Sequence, residues 1–575
     1  MARRTMHTGG SAEGGEDVAA AVQSLTEVAQ SLANSAARMM QMLQMMQQIM
    51  QSRAQGAGPV AAPQAPAAQI NTWELDPYSE ETPTEDPPLA TPIKVPVPVN
   101  QAPLLQFRIT TPGPPPALYA PETENFRYWT AMEALTRGIT FWSGPLQSLP
   151  GTRWTTVESP MQVTLDAGED LNANYSRQFG LRFYQETVRG VDIFSGESPD
   201  VSCHELGHAI LDALRPELFD AASIEVASFH ESFGDMSAIL SALQLPSVCS
   251  KAIAETGGHL NVNSELSRLA PQLGWGIRQL SPTAVDPDCL RNAANRFFYE
   301  DPDELPPSAP ASQLASEPHS FSRVFTGAFL DILARMLTTL GQATVENLQA
   351  VSRDLGQLLV DGAHLAPITT GYYSQVAASM VQADQARFNG RYRSALTSGF
   401  VQHGILTPSA AAGLSRAPVP NMVPAAGAGA AGFSMAAPTG VSSGLAMRAS
   451  LGQESEGYRA TAQDAPALPT RTVTMRFGLE VEVHAALEPP RFSVASAVAP
   501  TRASEDEAHA FVEDLIQLGR IDAEATALTM AKELLSPSSR AQSKKTHTLV
   551  TTRDGKLLLK RRHFNCGCCR DKSLV

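Results

Sequence analysis

The sequence predicts an α+β protein, and three stretches carry that reading. Short strand-like alternation appears at Met161–Leu165 and Gly180–Tyr184. Helical spacing then dominates from residue 200 to about 400, and strand alternation returns at Val473, Met475, Phe477, Leu479, Val481 and Val483. Period-2 and period-3.6 patterning kept in separate stretches is the mark of α+β organisation.

Taken in order, residues 16 to 52 lack Gly and Pro after Asp17. Val18, Val22, Leu25, Ala29, Leu32, Ala36, Met39, Leu43, Met46 and Met50 alternate steps of four and three, a heptad seam suited to self-association. Residues 1–53 are therefore set apart as a heptad helix. A Pro-rich linker is expected over 54–122, because Pro, Ala and Thr dominate it without periodicity. A mixed domain is expected over 123–405, opening with a helix near Phe126–Trp129. An Ala/Gly-rich linker over 406–470 follows, then a small α+β unit over 471–575. That last unit carries a capping box at Ser504–Glu507 and a hairpin signal at Asp554-Gly555.

At 575 residues several domains are expected. A net charge of −15 argues against a nucleic-acid partner, since phosphate contacts need clustered Lys and Arg. No run approaches the roughly 20 apolar residues of a membrane span. Arg3-Arg4 is followed by no apolar core, so no export signal is read. Localisation is then cytoplasmic, or exported by a non-classical route. Six scattered cysteines do not form a disulfide framework.

The chemistry concentrates in two predicted helices. Ser198 is a good N-cap, Pro199 suits the first helical position and Pro216 ends the pattern, giving a helix over about 199–215. On it His204 and His208 lie four apart, so both imidazoles project from one face and can share a metal ion. Glu205 sits about 100° round, placed to handle the proton of a metal-activated water. A second helix starts at Ser223, with Glu231 and Asp235 four apart beside its apolar side. Carboxylates so placed are costly unless paired or metal-bound. Glu231 is the expected third zinc ligand, and Asp235 the acceptor that orients the His204 ring. Cys203 is read as a buried structural thiol and His230 as a polar surface residue. The terminal Cys566, Cys568 and Cys569 could bind a metal, form a disulfide or stay unpaired.

His204-Glu205-x-x-His208, with Glu231-x-x-x-Asp235 beginning 23 positions after His208, resembles the thermolysin-like (gluzincin) zinc metallopeptidases. The resemblance covers about 160–400 and implies a small sheet subdomain followed by a mostly helical one. It further implies that Asn172-Ala-Asn-Tyr175 is an edge strand that pairs with substrate backbone, Asn172 contacting a substrate amide. Arg278 would bind a substrate carbonyl, and His319 would stabilise the tetrahedral intermediate. Phe219 stands where the family has a second hydroxyl donor. Of the calcium-binding acids only Asp200 is matched, with Ala242 where another would be, so calcium is not predicted.

The implied function is a zinc-dependent endopeptidase, one Zn2+ per chain, acting on polypeptide through a zinc-activated water with Glu205 as general base and His319 assisting. The alternative is a catalytically silent or latent module of the same fold used for binding or assembly.

Overall fold

The computed structural model describes residues 68–80, 89–149, 151–416, 468–475, 478–486, 503–523 and 545–566. The heptad segment 16–52 lies outside the described residues, as does most of 406–470. Among the described residues the fold is α+β, built within one compact unit, Ala68–Val575.

The stretch expected to be a linker is largely built into this unit. From residue 68 onward it forms β1 (Gln69–Thr72), antiparallel to β2 (Ile93–Pro96), and then β3 (Phe107–Ile109). Ile70, Trp73, Leu75, Tyr78 and Leu105 are buried. The Trp73 ring meets Phe126 edge-on at 5.1 Å, and its Nε1 donates to Glu197 Oε1 at 3.3 Å. A few aromatic anchors, without any period, hold this segment down.

Helix α1 (Glu124–Leu146) opens where expected, its Thr123 side chain accepting from the Phe126 N–H. Strands β4 (Met161–Thr164), β5 (Ala173–Ser176) and β6 (Gly180–Phe183) follow, then the hairpin β7 (Gln185–Val188) and β8 (Val191–Phe194). Helices α2 (Pro199–Leu214) and α3 (Ile224–Ala242) come next. Ser198 caps α2 by accepting from Val201 N–H, and Ser223 caps α3 by accepting from Val226 N–H. Helix α4 (Pro246–Thr256), β9 (Arg268–Leu269), α5 (Pro271–Leu280) and β10 (Arg291–Asn292) lead to α6 (Pro318–Thr339). The remaining helices of this part are α7 (Val345–Leu365), α8 (Tyr372–Phe388), α9 (Arg393–Gln402) and α10 (Pro408–Arg416). The last extends order into the expected Ala/Gly-rich break.

All 19 residues of α3 are buried, so it has no solvent face. Every polar group on it needs an internal partner. Glu225 meets this by accepting from the Tyr299 hydroxyl at 2.6 Å and the Tyr373 N–H at 2.7 Å. Among the described residues no single helix is long and apolar enough to cross a membrane.

The C-terminal part forms β11 (Thr470–Thr474), β12 (Glu480–His484), α11 (Ala503–Gln517), β13 (Ile521–Asp522), β14 (His547–Thr551) and β15 (Leu557–Arg561). These strands make a five-stranded sheet ordered β11-β12-β15-β14-β13. The single alternating run is thus an antiparallel hairpin whose two strands bury one shared face through Val473, Met475, Leu479, Val481 and Val483. The hairpin expected at Asp554-Gly555 joins β14 to β15, with Gly555 in the left-handed region its turn requires.

This part is bound to the upstream core. Ala222 N–H donates to His484 O at 2.7 Å, and the α3 cap Ser223 donates to Glu507 Oε1 at 2.6 Å. A last strand, β16 (Phe564–Asn565), leaves the C-terminal sheet and joins the upstream one, which reads β16-β5-β6-β4-β3.

Candidate metal centre

Helices α2 and α3 pack closely because two glycines face each other. A Cβ on Gly207 would stand 2.9 Å from the Gly234 Cα, and one on Gly234 would meet the His204 ring at 2.6–2.8 Å. The approach brings His204, Glu205 and His208 of α2 against Glu231 and Asp235 of α3. All five are at most 3% exposed.

His204 Nε2 lies 3.4 Å and His208 Nε2 3.8 Å from Glu231 Oε2. None of these three atoms has a hydrogen-bond partner, nor has either Glu205 carboxylate oxygen. The opposite ring nitrogens are engaged. His204 Nδ1 is 3.0 Å from Asp235 Oδ1, and His208 Nδ1 is 3.4 Å from His230 Nδ1. Ligand atoms about 2.1 Å from a tetrahedral ion stand roughly 3.4 Å apart, close to the spacing found here. The buried His204, Glu205 and His208 group can hold a metal ion.

The two imidazoles differ: burial acts to lower His204, but Asp235 and Glu231 outweigh it and raise the ring to about 9, so an ion binding there would displace its proton. Burial, reinforced by His204, His230 and His319, pushes His208 well below the usual imidazole range, leaving it neutral and able to bind a metal. Burial pushes Glu205 up to about 8 despite the neighbouring His204, and an added cation would favour its ionised form. Burial acts to raise Asp235 too, but Arg291 and His204 override it and hold this carboxylate ionised.

Arg291 has no counterpart in the sequence reading. Its Nη2 donates to Asp235 Oδ1 at 2.8 Å and its Nε to Asp235 Oδ2 at 3.1 Å, while Nη1 donates to the Cys566 carbonyl at 3.2 Å. No motif marks it; the unmet second oxygen of a buried Asp235 is the only signal for such a partner. Arg278, expected to bind a carbonyl here, instead donates to the Asp286 carbonyl at 3.0 Å and is not brought to the cluster by any contact described.

His319, in the first turn of α6, does reach the centre, with Nε2 3.3 Å from Glu231 Oε2. Its Nδ1 is 2.6 Å from Glu317 Oε1 and its Nε2 2.5 Å from the Asn565 carbonyl oxygen. Burial favours a protonated Glu317, but His319 outweighs it and holds the carboxyl down to about 2. Asn172 is buried directly before β5, its Oδ1 accepting from Ala173 N–H at 2.9 Å. Phe219 is buried and meets the Tyr175 ring edge-on at 6.0 Å.

Two further readings meet their outcome here. Cys203 is buried, its Sγ 3.4 Å from the Ala134 carbonyl. His230 is a correction: it is fully buried, because α3 has no surface face, and it packs behind His208. Asp200, the one matched calcium-type acid, accepts from Ala270 N–H at 3.1 Å.

Gly234 gives a sharp test. Gly234→Ala gains helix propensity worth about 1 kcal/mol yet drives a methyl into the His204 ring. The expected outcome is a drop in metal affinity of roughly tenfold or more, the scale found when a ligand's orientation is disturbed. Competition with a chelator of known affinity measures it, and unchanged affinity would mean that His204 does not ligate.

The chain matches no known family model, and no curated protein matches it.

Proposed function

We propose that this chain is a zinc-dependent endopeptidase with a gluzincin-type catalytic domain. The observation that carries the reading is the convergence of five buried side-chain atoms that make no hydrogen bond: His204 Nε2, His208 Nε2, Glu231 Oε2 and the two oxygens of Glu205. Two imidazoles and one carboxylate, each ring held from behind, form a donor set suited to zinc with a position left open. His204, His208 and Glu231 would hold the ion. When bound, it supplies Lewis-acid polarisation and makes water nucleophilic near neutral pH.

The chain's own residues supply the rest. Glu205 takes the proton of the attacking water and passes it to the leaving amine. His319 donates Nε2–H to the oxygen of the carbonyl under attack, a contribution typically of about 3–4 kcal/mol in such sites. Arg291, held by Asp235, is placed to bind a neighbouring backbone carbonyl, the role the resemblance gave to Arg278. Strand β5, introduced by Asn172, offers the backbone edge on which an extended polypeptide pairs, and this favours a peptide over another hydrolysable bond.

The test is metal content together with cleavage of unfolded casein by the full chain. Zinc near one per chain is expected, with hydrolysis that stops on chelation and returns with added zinc. A chain that binds no zinc would end the reading.

A further inference from the structure

The edge of β5 is already taken. Phe564 pairs with Tyr175 and Asn565 with Asn174 in antiparallel register, and Cys566 N–H donates to the Ala173 carbonyl at 2.9 Å. The two groups assigned to substrate carbonyls are taken by the same segment. His319 Nε2 faces the Asn565 carbonyl and Arg291 Nη1 donates to the Cys566 carbonyl. The Phe564 ring is buried against the centre, stacked on His230 at 4.1 Å and on His208 at 4.9 Å. Phe219 meets it edge-on at 5.3 Å, and the Arg561 guanidinium lies 4.0 Å from its centroid. Cys566 is buried as well.

We infer that Phe564–Cys566 is a resident occupant of the polypeptide cleft, a strand added to β5 that keeps the site closed until it leaves. It rests on the function proposed above and deepens it by naming the ligand class. The cleft takes an extended polypeptide antiparallel to β5, with an aromatic side chain seated among Phe219, His230 and His208.

Backbone pairing supplies the attachment and the ring pocket supplies the choice of side chain, the usual division in strand addition. The tether makes the arrangement effective. β15 is fixed in its own sheet between β12 and β14, and only Arg562 and His563 separate it from β16. Arg562 is further held by Asp522, its Nη1 2.8 Å from Oδ2. A ligand on so short a tether competes with free peptide at a high effective concentration. The His230 ring forms the floor under Phe564.

The test uses the full chain loaded with zinc, as wild type, Phe564→Ala and Cys566→Pro. The first variant empties the ring pocket; the second deletes the N–H that meets Ala173. The probe is a synthetic hexapeptide, Arg-Arg-His-Phe-Asn-Ser, which copies residues 561–566 with serine in place of the last. Amide hydrogen exchange over Ala173–Ser176 is expected to quicken at least tenfold in each variant. Casein cleavage should rise by a similar factor. The hexapeptide should restore protection and inhibit the variants while scarcely affecting the wild type. Faster exchange and peptide protection without casein cleavage in any form would uphold the occupant and sink the peptidase reading. Exchange and cleavage unchanged in both variants would overturn the occupant while leaving the peptidase reading standing. Should either variant misfold, the wild type still decides: hexapeptide binding with tight, saturable protection of β5 in the unaltered chain would show that the cleft is open.

Discussion

Glu205→Gln is expected to keep its metal and lose turnover by about 10²- to 10⁴-fold, the usual worth of a positioned general base. Both oxygens of Glu205 are buried and without hydrogen-bond partners, so the substitution breaks no hydrogen bond in the resting chain. The amide fills the same space and cannot accept the proton of an attacking water. Folding and zinc content should therefore match the parent, and the loss should fall on kcat with KM little changed. The variant is best read in the Phe564→Ala background, where the cleft is vacated and the parent rate is high enough to show the drop. Zinc analysis beside casein cleavage checks it. Equal rates in the presence and absence of the Glu205 carboxylate would remove it from the chemistry, and loss of zinc with loss of rate would make it a ligand.

What was legible in the sequence is what depends on local spacing. His204, Glu205 and His208 are fixed relative to one another by a single helix, and so are Glu231 and Asp235. Caps at Ser198 and Ser223 and prolines at 199 and 216 mark the ends of these helices, so the two faces could be drawn without coordinates. The pairing of His204 with Asp235 followed from the cost of burying a carboxylate. His230 failed because a helix buried on every side offers no solvent face to which a polar residue can be assigned. The segment from residue 68 onward reads as linker because its few aromatic anchors, Trp73 and Tyr78 among them, have no period and leave no signal against a background of Pro and Ala. Arg291, the fit of Gly234 against His204, and the return of Phe564 to β5 join positions tens to hundreds apart in the chain. No local pattern encodes them. Arg291 is delivered to Asp235 from β10, whose two-residue pairing with β9 is too short to leave a strand pattern in the sequence.

Asp235→Ala should be the most damaging single change at the centre, because Asp235 serves two other buried groups at once. Arg291 donates to both of its oxygens and is 3% exposed, and His204 Nδ1 is fixed by Oδ1. Removing the carboxylate takes from a buried guanidinium the group that accepts from its Nε and Nη2, and breaking a buried pair in this way costs about 3–5 kcal/mol. Metal affinity should fall by a further 10- to 100-fold as His204 loses its orientation. The two effects are separable. Unfolding by urea with chelator present isolates the first, and chelator competition on the folded chain isolates the second. Adding Arg291→Met to Asp235→Ala removes that guanidinium, so it should recover much of the stability while leaving metal affinity low. Recovery of both together would mean that Asp235 acts on the metal only by keeping the protein folded. Recovery of stability alone would show that the carboxylate sets the geometry of His204, and through it the readiness of the whole centre to bind its ion.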